Sequence, residues 1–281
     1  MTKNLLVLSI LFSIICFKGF SQEGKLEKAK ESLKSSSSSS TSIKTNKSSR
    51  SSSANNNDNE SFFGSIFAGF FWEIAKYTVY GVAIESEFEK EGKMHNAEIS
   101  NYPYKESKSG NFIYTDSINY KITRFDIYNH ILIENKNLYG NDLGVNFRFL
   151  KRFAIDINYT TFLEKVEGKK DSFNMYSALL KYYRIRTQRF DAWFGLGATH
   201  IANNVNETGF TFGFGGEIFI KKPISLVGSH KWTTIHQESI RNTKLLLKYH
   251  IKNYRISSGY EHYKLAVSKI NTFSLGVEIS F

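Results

Sequence analysis

From about residue 118 to its last residue, the chain alternates apolar and polar side chains with a period of two, and no other feature constrains its fold as strongly. A β-strand sends successive side chains to opposite faces, so this period predicts a sheet with one apolar and one polar face. Phe125, Ile127, Ile131 and Ile133 alternate with Arg124, Asp126, Tyr128, His130 and Glu134. Leu143, Val145, Phe147 and Phe149 alternate with Gly144, Asn146 and Arg148, and Phe153, Ile155, Ile157, Tyr159 and Leu163 with Asp156, Asn158, Thr160 and Glu164. The pattern returns over 176–183, 192–198, 210–220, 224–232, 245–251 and, least cleanly, 255–265. With the terminal segment this makes about ten strands of the length a tilted membrane-crossing strand requires.

The terminal segment, 271–281, is the clearest member. Phe273, Leu275, Val277, Ile279 and Phe281 fall on one side, and Thr272, Ser274, Gly276, Glu278 and Ser280 on the other. A free edge strand with an apolar face invites aggregation, and closing the sheet on itself removes that edge. A final strand that alternates in this way and ends in Phe resembles the closing strand of gram-negative outer-membrane β-barrel proteins. The resemblance implies an all-β, antiparallel up-and-down transmembrane barrel of roughly 8 to 12 strands, porin-like in architecture. It also implies location in the outer membrane, contact with outer-membrane lipid, dependence on the barrel-assembly machinery for insertion, and a periplasmic C-terminus.

Composition agrees with strands better than with buried helices. Aromatic residues make up 15% of the 281, with 24 Phe and 16 Tyr, yet mean hydropathy is −0.33. Strand formers are abundant without long apolar runs. The net charge of +11 does not point to nucleic acid, because the basic residues are scattered and no nucleic-acid motif accompanies them. The single cysteine, Cys16, leaves the rest of the chain without a disulfide, a thiolate metal site or a Cys nucleophile.

The chain divides into five regions. Residues 1–21 read as a signal peptide, with Lys3 before an apolar run from Leu5 to Phe17 and Gly19-Phe20-Ser21 before cleavage. Residues 22–60, rich in Ser, Lys and Asn, read as a disordered linker that cannot bury enough apolar area to fold. In 61–84, Phe63, Phe67, Phe70, Phe71, Ile74 and Tyr77 are spaced as one face of an amphipathic helix. Glu73 and Lys76 disfavour a bilayer span there, so an interfacial helix or one at the barrel mouth is expected. Residues 85–117 form an unassigned connecting region, and 118–281 the barrel.

Turns and inward positions bear on function. Tight connections at 151–152, 187–189, 221–223 and 252–253 alternate with longer ones expected at 166–173, 203–208 and 236–242, which places the longer ones outside. The lumen side carries Arg124, Asp126, Glu134, Arg148, Asp156, Glu164, Lys181, Glu217, Lys231, Lys248 and Glu278. Mixed signs in so narrow a barrel should pair and plug it, which favours a closed structural, adhesive or envelope-interacting barrel over a small channel for ions or solutes. Catalysis finds little support. Glu261 and His262 are adjacent and so point to opposite faces, and Ser239 near His236 lacks an orienting carboxylate beyond Glu238. No phosphate loop, cofactor signature or metal-ligand spacing is present, and the Gly213-x-Gly215-Gly216 cluster reads as barrel wall. No catalytic, cofactor or metal residues are expected, and a surface hydrolase is the weakest of the readings.

Overall fold

A computed structural model describes residues 24–38, 96–105, 110–114, 123–202, 204–236 and 238–281. Ten long strands close into one antiparallel barrel in chain order. They are β3 (Thr123–Ile133), β4 (Leu138–Phe149), β5 (Phe153–Val166), β6 (Lys169–Arg186), β7 (Phe190–Ile201), β8 (Glu207–Lys221), β9 (Ile224–Ile235), β10 (Glu238–Ile251), β11 (Tyr254–Leu265) and β12 (Ser268–Ser280). The terminal strand closes the cylinder against the first, with Phe273 opposite Ile133 and Ser280 opposite Asp126. Beyond it, Phe281 and Phe125 exchange backbone hydrogen bonds of 2.8 and 3.3 Å. Every ladder bond therefore has a partner strand, as a sheet facing hydrocarbon requires.

The alternation read from the sequence sets the faces. Phe125, Ile131, Leu143, Ile157, Leu180, Leu196, Phe214, Leu247, Leu275 and Val277 are exposed on the outside, while Asp126, Arg148, Asp156, Lys181, Glu217 and Glu278 are buried inside. Outside, this is an apolar belt; inside, it is a lumen lined by charge.

Two further elements close the lumen. Helix α1 (Lys25–Ser38) lies at the end opposite the C-terminus, and a short hairpin of β1 (Ala97–Ile99) and β2 (Phe112–Tyr114) lies at the C-terminal end. The helix corrects the linker expected over 22–60. Its mean composition is polar, but Leu26, Ala29 and Leu33 recur at helical spacing and form one fully buried stripe. The apolar partner surface that a linker argument assumed absent is supplied by the barrel wall. The hairpin gives structure to part of the region left unassigned. The expected signal peptide with Cys16, the remainder of the linker from 39 to 60, the helix over 61–84 and the first barrel residues, 118–122, lie outside the described residues.

The expected alternation of short and long turns is corrected at two of its three longer connections, while the third, between Ile201 and Glu207, keeps five residues. The connections at 167–168 and 236–237 contain two residues each, because β6 begins at Lys169 and β10 at Glu238. The polar residues there were read as loops, but at this end the strands invert their faces: Phe162, Phe173, Met175, Ile201, Ile235, Ile240, Tyr263 and Ile270 point inward. Residues between them, such as Thr161 and Asn174, point outward and hydrogen-bond across the strands at 2.6 Å. A polar run can thus continue a strand that has passed beyond the belt. Among the described residues, no helix is long and apolar enough to cross a membrane.

Candidate functional site: a lumen closed from both ends

The lumen is stacked in layers. At the α1 end, Leu26, Ala29 and Leu33 pack on inward Leu132, Phe162, Phe173, Met175 and Ile270. Polar contacts set the helix in place. Glu164 accepts from the backbone N–H of Lys25 at 3.1 Å and of Leu26 at 2.8 Å, so a carboxylate of the barrel rim caps the helix N-terminus. The Lys25 ammonium meets Glu134 at 2.7 Å, Lys30 pairs with Asp171, Ser32 donates to Glu238 at 2.9 Å, and Ser268 donates to the Lys25 carbonyl at 2.7 Å. Glu134 and Glu164, expected within a lumen charge network, are thus seated at the rim and hold the helix.

Below the apolar layer, a hydroxyl ladder crosses four strands: Ser177 to Thr199 at 3.0 Å, Thr199 to Thr211 at 2.8 Å and Thr211 to Thr233 at 2.8 Å. Next comes the charged layer. Asp126 is shared by three guanidinium groups, Arg124 at 2.9 Å, Arg255 at 3.0 Å and Arg148 at 3.4 Å. Glu278 joins Lys248 at 2.8 Å and Arg255 at 2.9 Å, and Asp156 joins Lys231 at 3.0 Å and Lys181 at 3.2 Å. Glu217 accepts from Ser225 at 2.6 Å. Alternate inward positions on facing strands deliver both signs to one narrow space, so pairing follows from the register.

Several members were not singled out by the sequence. Lys244 bridges Asp142 and Glu261, the latter at 3.1 Å. His130 is buried and stacks on Tyr128 at 5.3 Å, with ring nitrogens 3.7 Å from Glu278 and 3.9 Å from Glu261. Ligand-type atoms of His130, Asp142 and Glu261 lie within 4.8 Å of one another. The Lys244 ammonium already supplies the positive charge these carboxylates need, so a metal ion would have to displace it. Inward phase was the available signal for these residues; what the sequence did not reveal was which of them meet across the lumen.

The hairpin completes the stack. Asn111 is its key, donating to Asp191 at 2.7 Å and Glu217 at 2.8 Å while accepting from Arg124 at 2.7 Å. Arg124 also donates to the Ser100 carbonyl at 3.0 Å, and Arg186 to that of Ala97 at 3.2 Å. Phe112 packs against Tyr183 at 5.6 Å, and Tyr104 against Phe219 and His250 at 5.6 and 5.1 Å. Burial and the Glu217 carboxylate push the Tyr104 phenol up to about 12, so it stays protonated and donates to the Ile224 carbonyl at 2.6 Å. Gly110 is required by close approach, since a Cβ there would lie 2.2 Å from the Phe219 ring. Between hairpin and helix remains a polar cavity of about 120 Å³, lined by Asp126, His130, Arg148, Lys231, Lys248 and Glu278 among others. It has room for water.

The residues considered for hydrolysis do not converge. His236 pairs with Glu207 at 3.1 Å, Ser239 faces Thr234 in the ladder, and His262 lies outside the barrel at 2.6 Å from Asn271, with Glu261 inside.

A closed antiparallel cylinder, apolar outside and charged within, has the fold of the small outer-membrane β-barrel proteins. Solved structures similar to the chain include a de novo designed transmembrane β-barrel, at 10% identity over 58% of this chain and 100% of that one, with a TM-score of 0.32. The outer-membrane protein Ail of Yersinia pestis matches at 17% identity over 57% of this chain and 99% of that one, with a TM-score of 0.32. The KdgM porin matches at 12% over 56% and 99%, with a TM-score of 0.35. No protein-family model and no curated protein matches the chain. At such identities and scores the likenesses carry no argument, and the class rests on the chain's own closure, belt and lumen.

Proposed function

We propose that this protein is a non-enzymatic outer-membrane barrel with a sealed lumen, serving a structural or envelope-interaction role. The supporting observation is the double closure, with α1 capped by Glu164 at one end, the Asn111 hairpin at the other and paired charges between. Outer-membrane lipid and, during insertion, the barrel-assembly machinery are its partners. By its resemblance to closing strands, Phe281 marks the periplasmic end, which puts α1 at the outer end. Adhesion through extended loops loses its means, because the described turns at the α1 end are short. Heat-modifiable migration after detergent extraction is expected, and recovery as a soluble periplasmic monomer would sink the reading. In planar bilayers the purified protein should be silent; steady conductance would overturn the sealed lumen.

A second reading, a gated path for ions, is favoured by one observation. The polar cavity is covered at the outer end by a helix with only one narrow apolar stripe. Conductance appearing on deletion of residues 24–38 would support it, and continued silence would leave the structural barrel.

A further inference from the structure

The outer surface is uneven around the barrel. On β9 to β12, four outward residues near the α1 end stand in one register row: Trp232 opposite Arg241, Arg241 opposite Lys264, and Lys264 opposite Lys269. The row beneath is polar. There His230 meets Thr243 at 2.8 Å, and His262 meets Asn271 at 2.6 Å. One row further in, Leu245, Tyr260 and Phe273 are in register and exposed, and they begin the apolar belt. Successive rows therefore pass from hydrocarbon-like through polar to cationic, the order of a bilayer met from its core outward.

Three cations side by side on neighbouring strands oppose one another, since like charges directly opposite in a ladder are destabilising. Among the described residues nothing offsets this. Every Asp and Glu of β8 to β12 lies at an inward position or at the rim, and among the described residues no carboxylate pairs with Arg241, Lys264 or Lys269. The Arg241 guanidinium is fixed 5.0 Å from the Trp232 ring, and its Nε is buried without a hydrogen-bond partner. The row spans roughly 10 Å at ordinary strand spacing, within reach of one phosphate group for flexible side chains. Phosphate oxygens accept charge-assisted hydrogen bonds from Arg and Lys, and a membrane supplies such phosphates at the depth where the belt ends.

We propose that Arg241, Lys264 and Lys269 form a binding row for the phosphate of an anionic membrane lipid, with Trp232 as its interfacial flank. The site rests on the membrane-barrel reading above and adds to it a preferred lipid chemistry on one wall of the cylinder. The bound phosphate supplies the negative charge that the three cations lack.

The test uses the full chain reconstituted in bilayer nanodiscs of phosphatidylcholine, alone or with a minor fraction of phosphatidate. Wild type should unfold at higher urea when phosphatidate is present, whereas K264Q/K269Q should show little or no such shift. In phosphatidylcholine alone, the variant should resist urea at least as well as wild type, because a repulsion has been removed; folding failure is therefore not the expected confounder. K252Q, in a turn at the opposite end, should keep the wild-type response. The site is overturned if phosphatidate does not shift wild type, if K264Q/K269Q shifts equally, or if inorganic phosphate in phosphatidylcholine discs reproduces the shift. A chain that enters neither bilayer defeats the membrane reading itself, a failure distinguishable from loss of the lipid preference.

Discussion

Asp126 carries more of the lumen than any other single residue. Its carboxylate faces Arg124, Arg148 and Arg255 and also accepts from the Ser280 hydroxyl of the closing strand. Removing the charge at constant shape would leave three buried guanidinium groups without their common partner. Breaking a buried pair costs about 3 to 5 kcal/mol, because the remaining charge is uncompensated. Asp126→Asn should therefore lower stability by that order in urea titrations of the reconstituted barrel. Asp171→Asn removes a partner of Lys30 at the rim, where the Asp171 side chain is 34% exposed, and should cost less than about 1 kcal/mol. Comparable losses from the two would contradict the layered electrostatics. A steric counterpart lies nearby. A Cβ on Gly276 would fall 1.9 Å from the His130 ring, so this inward glycine makes the room in which the histidine stacks on Tyr128.

Among the elements, α1 shows why some of this structure was legible and some was not. The strands announce themselves because each carries its own signal: alternation makes β12 readable from Phe273, Leu275, Val277, Ile279 and Phe281 without reference to any neighbour. The helix does not. Leu26, Ala29 and Leu33 are too few to outweigh their Lys, Glu and Ser neighbours in an average, and the helix is stabilised by residues more than a hundred positions away, Glu134 and Glu164. The hairpin was hidden for the same reason, since Asn111 acquires meaning only beside Asp191, Glu217 and Arg124. Inward residues were legible singly but not as contacts. Because the buried side of α1 is a single stripe, truncating it should act locally. Leu26→Ala should weaken helix docking by about 2 to 5 kcal/mol, the range for a buried leucine. Limited proteolysis should then cut within Lys25–Ser38 while the barrel keeps its heat-modifiable migration. Loss of that migration would mean that the helix is integral to barrel stability.

At the scale of the whole molecule, the barrel joins two environments with opposite requirements through one repeated rule. Each strand presents lipid-compatible side chains outward and mostly polar or charged ones inward, and the inner face turns apolar where strands meet α1 at one end and the hairpin at the other. The belt is thus bounded along each strand, and β12 makes the boundary testable. Phe273, Leu275, Val277 and Phe281 are outward and exposed and Ile279 is half-buried, with Val277 central and 62% exposed, whereas Asn271 lies outward beyond the belt, beside His262. The opposite face offers no neutral control, since Ser274 is fully buried and donates to Glu261 at 2.9 Å; enlarging it would disturb the lumen. Depth along the outer face is the cleaner comparison. A cation at mid-bilayer on a barrel surface costs about 2 to 4 kcal/mol and near the interface about 0 to 1 kcal/mol. Val277→Arg should fall in the first range and Asn271→Arg in the second, measured by reversible unfolding from lipid vesicles. Equal costs would displace the belt from where alternation puts it, and a harmless Val277→Arg would mean that this face of the closing strand meets water.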